Sequence, residues 1–132
     1  MSTIQAYFDG INEERYDDVG ALFAADGVMI APGTEPRVGP EQVASYFRAA
    51  LRLYPEHYDD PTRIIEAGST VTVEIHFTGR LENGAPLEFD AIDVFDLDDE
   101  GRISKLSSWY DSHAVRKSVR AALEADGRAT AR

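Results

Sequence analysis

The chain has 132 residues, a hydrophobic fraction of 43%, a charged fraction of 28%, a formal net charge of −11 and no cysteine. That length fits one domain around one core, and that composition is ordinary for a soluble globular fold. The negative charge opposes binding to nucleic acid or to an anionic membrane, and the missing thiols exclude a disulfide framework, a cysteine nucleophile and thiolate metal ligands.

Ile4, Tyr7, Phe8 and Ile11 recur at the spacing of one helical face. Asn12-Glu13-Glu14-Arg15 ends that helix, and Asp17 is expected to cap a second one that buries Val19, Leu22 and Phe23. Ala25-Asp26-Gly27 reads as a turn, Val28–Ala31 as a short strand and Pro32–Pro36 as a loop. Gly39-Pro40 opens a third helix, with Val43, Tyr46, Phe47, Ala50, Leu51 and Tyr54 as its apolar stripe and Pro55 as its stop. Glu56–Pro61 is expected to be a loop carrying His57 and Tyr58.

From Arg63 the period changes to two. Arg63–Ala67 reads as a strand; Val71, Val73, Ile75 and Phe77 then alternate with Thr72, Glu74, His76 and Thr78. Asn83-Gly84 marks a hairpin before a long strand from Pro86 to Leu97. A turn at Asp98–Gly101 leads to a last strand over 102–111 and a short helix from about Ser112 to Leu123. The reading is one domain over 1–124 and a frayed tail over 125–132. Helices followed by an antiparallel meander make an α+β domain, in which a curved sheet and three N-terminal helices enclose a cone-shaped pocket. No apolar run is long enough for a membrane span, and Met1–Gln5 lacks a basic and apolar leader, so the default expectation is cytoplasmic.

Asp93 is the most informative residue. On one alternation Phe89, Ala91, Asp93, Phe95 and Leu97 share a face, which sets one carboxyl among apolar neighbours. Such an acid finds a partner or keeps its proton, and a neutral acid can donate a hydrogen bond to a developing oxyanion. The alternative is a strand whose acids all face solvent.

The order of elements, with Tyr7–Asn12, Val19–Phe23, Gly33–Gly39, Ala91–Phe95, Gly101–Ile103 and Trp109–Asp111, resembles the nuclear transport factor 2-like superfamily, in its SnoaL-like and ketosteroid-isomerase-like branch. The likeness covers roughly residues 3 to 120. It implies an oxyanion pair at Tyr7 and Asp93, a chemistry described for ketosteroid isomerases as a class. It also implies that the family's catalytic base falls on Ile30, which cannot move a proton, and its supporting tyrosine on Phe47.

The leading expectation is therefore a small enzyme without cofactor or metal, acting on an apolar carbonyl-bearing or polycyclic molecule as an isomerase, cyclase or dehydratase through an enolate. Tyr7 and Asp93 would hold the oxygen. His57 and His76 are candidates for the replacement base because imidazole titrates in the useful range. Phe23, Ile30, Phe47, Val73, Ile75 and Phe95 are expected to shape the pocket with Leu106, Ser108 and Tyr110 from the last strand. His113 and Glu35 read as surface and turn residues. Trp109 should point away from the pocket, where a homodimer interface on the open sheet face would cover it. A non-catalytic binder of a hydrophobic small molecule is the alternative, motivated by Ile30. An epoxide hydrolase relative ranks third and would gain if Glu74 or Arg63 pointed inward beside Asp93.

Overall fold

Ser2 starts the first helix: its hydroxyl accepts the Gln5 N–H at 3.1 Å. The structure, a computed structural model, describes residues 2–130. Helix α1 (Thr3–Asn12) buries Ile4, Tyr7, Phe8 and Ile11, as the spacing predicts. It closes with a Schellman turn. Arg15 N–H reaches Gly10 O at 2.8 Å and Glu14 N–H reaches Ile11 O at 3.2 Å, with Glu14 left-handed at φ 58°. That turn launches α2 (Tyr16–Ala21) at once, so Arg15 takes the cap position expected of Asp17. Asp17 instead sits in the first turn, where the helix dipole favours it, and accepts from Arg48 of the next helix at 2.8 Å.

Phe23 begins strand β1 (Phe23–Ile30) rather than ending a helix. The expected turn at Ala25–Gly27 lies inside β1, where its pairing shifts register between Phe23 and Val28. After the two-residue β2 (Arg37–Val38), α3 (Gly39–Leu51) starts with proline at its first turn. Val43 and Ala44 are its buried side chains; Tyr46, Phe47 and Leu51 pack half-buried, and Ala50 is exposed.

The largest correction concerns the expected loop at 56–61. It is the first half of a twelve-residue strand, β3 (Glu56–Ala67), paired antiparallel with β4 (Thr70–Arg80) along its length. Pro61 is tolerated because β3 is an edge strand and the register shifts just after it, where no ladder N–H is needed. The Asn83-Gly84 turn, with Gly84 at φ 83°, leads into β5 (Pro86–Leu97). Strand β6 (Ile103–Trp109) and helix α4 (Ser112–Thr130) complete the chain. The helix runs past Leu123 to Thr130, and residues 131–132 of the expected tail lie outside the described residues.

The strand order is β2-β1-β6-β5-β4-β3. The pairings are antiparallel except β1 with β6, which is parallel because β1, arriving from the helices, fills the free edge of the meander. The inner face of the sheet carries Val71, Val73, Ile75, Phe95 and Leu106, and it packs on α1 and α3 to form the main core. A second cluster, Tyr54, Phe77, Leu81 and Leu87, lies toward one end, where Val115, Val119 and Ala122 of α4 cover it. Among the described residues no helix is long and apolar enough to cross a membrane.

Candidate functional site

The site begins with one pairing. Asp93 lies directly opposite Ser108 in the β5–β6 ladder, and the Ser108 hydroxyl donates to Asp93 Oδ1 at 2.7 Å. The side chain is walled off, with Asp93 only 4% exposed. Burial pushes its carboxyl up to about 7; the Ser108 hydrogen bond opposes that rise, and the negative field of Asp59 adds to it. Near neutral pH a large share of Asp93 is therefore the neutral acid. Ser108 occupies Oδ1, which leaves Oδ2 for the proton.

Tyr7, 2% exposed, sits beside it on α1. Its ring meets Phe8 and Phe95 edge-on at 5.0 Å each, and Phe47 at 6.0 Å. Burial, then the negative fields of Asp93 and Asp59, hold its phenol well above the ordinary value, so it is a neutral O–H donor. Both groups line one cavity of about 160 Å³ between the sheet, α1, α3 and the start of α4. The packing gives the cavity its polarity. Aromatic and aliphatic side chains form the walls, Phe77 stacks on Phe89 at 4.7 Å, and Phe89 meets Tyr110 at 5.2 Å.

A second carboxyl faces the same cavity. Asp59 occupies the inward alternation of β3, opposite Phe77. Burial raises it to about 6. Its backbone is pinned by Asn12 at the end of α1: the Asn12 amide donates to Asp59 O at 2.9 Å and accepts Asp59 N–H at 2.8 Å. Sequence reasoning missed Asp59 because Pro55 and Pro61 disguise the strand. The available signal was the alternation of His57, Asp59 and Pro61.

Of the pocket residues expected from sequence, Phe47, Ile75, Ser108 and Tyr110 line this cavity. Phe23, Val73, Phe95 and Leu106 are packed into the main core behind it. Ile30 is half-buried at the end of β1 and away from the cavity lining. Neither histidine offered as a base reaches it. His76 projects from the outer sheet face, between Asp90 at 2.8 Å and Glu88 at 3.3 Å, because it alternates with the buried Val73, Ile75 and Phe77. The His57 side chain is 1% exposed, but its Nε2 lies 3.3 Å from Tyr16 Oη and from Glu14 Oε1, outside the cavity wall. Glu74 and Arg63 pair with each other on the outer side at 3.1 Å rather than turning in beside Asp93. His113 and Glu35 are exposed. Among the described residues no cluster of His, Asp and Glu is arranged to hold a metal ion.

Residues 4–106 match the family model of the SnoaL-like domain. The orange carotenoid-binding protein of Limnospira maxima is 35% identical over 85 residues, covering 61% of this chain and 25% of that protein. Its counterpart in Synechocystis sp. (strain ATCC 27184 / PCC 6803 / Kazusa) is 32% identical over 108 residues, covering 77% and 32%. The chain thus spans a quarter to a third of the curated relatives it matches. Among solved structures, a protein of ketosteroid isomerase-like fold from Catenulispora acidiphila DSM 44928, in complex with trimethylamine, superposes with TM-score 0.78 at 20% identity, over 86% of this chain and 88% of that one. An epoxide hydrolase from M. tuberculosis superposes with TM-score 0.74 at 23% identity, over 93% and 90%.

Proposed function

Because the chain belongs to the SnoaL-like domain family, we propose that its cavity binds an apolar, carbonyl-bearing small molecule and promotes enolate chemistry on it, as an isomerase or cyclase. The observation that carries this reading is the buried Asp93 carboxyl sharing one apolar cavity with the Tyr7 phenol. Two neutral donors lining one largely apolar cavity would favour charge on a bound oxygen, and more so in an enolate than in a ketone, which is the condition for catalysis. Size narrows the ligand. A cavity of about 160 Å³ matches a single six-membered ring. A polycycle or a long polyene would enter by one end only, unless α4 moved aside.

A second reading has a specific observation behind it. The resemblance puts the family's base on Ile30, which cannot move a proton, and the relatives above are named for binding carotenoid. On that reading the protein holds a hydrophobic molecule by its terminal oxygen and returns it unchanged.

Both readings are tested at the oxygen site by a substituted phenol such as 4-nitrophenol, whose phenolate mimics an enolate. Hydrogen bonds to a charged oxygen contribute about 1.5–3 kcal/mol each. Tyr7→Phe and Asp93→Asn should therefore each weaken binding by roughly 10- to 100-fold. Equal affinity in the wild type and both variants would reduce the site to a greasy pocket.

A further inference from the structure

The cavity holds two acids, and the oxyanion reading uses only one. Asp59 comes from β3 and Asp93 from β5, with β4 between them. Asp59 is opposite Phe77 and Asp93 opposite Val73, so sheet curvature, not adjacency, brings them to one space. Both acids therefore face one cavity from strands that are two apart in the sheet. Among the described residues that line the cavity none is cationic, and none forms a salt bridge with either acid. The Asp59 backbone on the edge strand is held from α1 as well as from β4, by the two hydrogen bonds of the Asn12 side chain.

Resting on the enolate reading, we infer that Asp59 is the catalytic base, doing from the third strand the work that Ile30 cannot do from the first. Its carboxylate takes a proton from the carbon next to the bound carbonyl. The C–H electron pair becomes a C=C bond, and the carbonyl π pair moves onto oxygen, where Tyr7 and Asp93 hold it. In a β,γ-unsaturated ketone the result is a dienolate; Asp59 then returns the proton to its γ-carbon, the carbonyl re-forms and the double bond moves into conjugation. Atoms and electrons balance without a co-reactant.

The environments of the two acids fit a division of labour. Asp59, raised to about 6, ionises before Asp93, raised to about 7. The other titratable groups facing the cavity are Tyr7 on α1, Tyr46 on α3, Tyr54 after it and Tyr110 after β6. All four are pushed up by burial and stay neutral through this range.

The test uses the full chain and cyclohex-3-en-1-one, one ring in size, in D₂O. NMR follows deuterium entry beside the carbonyl, and absorbance follows formation of the conjugated enone. The wild type should accelerate both over buffer, best between about pH 6 and 7. Asp59→Asn should lose at least 100-fold while binding 4-nitrophenol within a few-fold of wild type, which shows that it is folded; Asp59→Glu should recover part of the rate. Asp59→Asn exchanging as fast as wild type would overturn the assignment. So would phenol binding without any wild-type exchange, which leaves the oxygen site standing as a binding site. Loss of phenol binding in the wild type itself would remove both readings together.

Discussion

A buried acid with a raised pKa makes the folded state sensitive to pH, and the direction follows from proton counting. An unfolded aspartate loses its proton near 3.8, whereas Asp93 in the fold holds it to about 7. Between those values the native state binds more protons than the unfolded chain, so stability falls as pH rises through the window. Three units correspond to about 4 kcal/mol, an upper figure for one group. Asp93→Asn keeps the shape and an acceptor for Ser108 without the ionisable proton. Urea unfolding should find it more stable than wild type at pH 8 by up to a few kcal/mol, and near wild type at pH 5. Asp93 was legible in the sequence because an acid interrupts an otherwise apolar alternation within a single strand. Asp59 was not, because the apolar residues that share its cavity, such as Ile11 of α1 and Phe77 of β4, lie well away from it in the sequence. The histidines were misjudged as bases because titration range is visible in a sequence and the direction of a side chain is not.

Elements with a strict period were readable. Helices α1 and α3 and strands β4 and β5 fall where their spacing puts them, since one face of each meets the core. The second half of β3, Arg63–Ala67, was legible, but its first half was hidden by exposure and by Pro55 and Pro61, the latter tolerated because β3 lies at the sheet edge. Helix α2 was misplaced because its start is set by the Schellman turn with a glutamate, not a glycine, in the left-handed position. Where α2 crosses α3, local propensity and packing oppose each other. A Cβ on Gly20 would lie 2.4 Å from the Pro40 carbonyl oxygen. Alanine gains at most about 1 kcal/mol of helix propensity over glycine, whereas forcing extra atoms against fixed backbone costs about 1–3 kcal/mol or more. Gly20→Ala should therefore lower the urea midpoint rather than raise it.

At the scale of the molecule, the sheet has a covered face and an open one. The open face carries Tyr58, Ile65, Ile92 and Trp109; Ile92 and Trp109 are cross-strand partners, 44% and 54% exposed. Exposed large apolar side chains clustered on one face are the usual mark of an interface, and a second copy would supply a matching apolar surface through two-fold symmetry. Sedimentation should give a dimer for the wild type and a monomer for Trp109→Glu; a monomeric wild type would leave the face unexplained. Such pairing would leave the cavity, on the opposite side of the sheet, open to its ligand.

The oxygen site requires a carboxylic acid that keeps its proton near neutral pH inside a largely apolar cavity. Carboxyl-carbon NMR of aspartate-labelled protein, with Asp93→Asn to assign the signal, follows that proton directly. The expected midpoint for Asp93 is near 7, and it moves when 4-nitrophenol binds. A midpoint near 4, unmoved by the phenol, would contradict it.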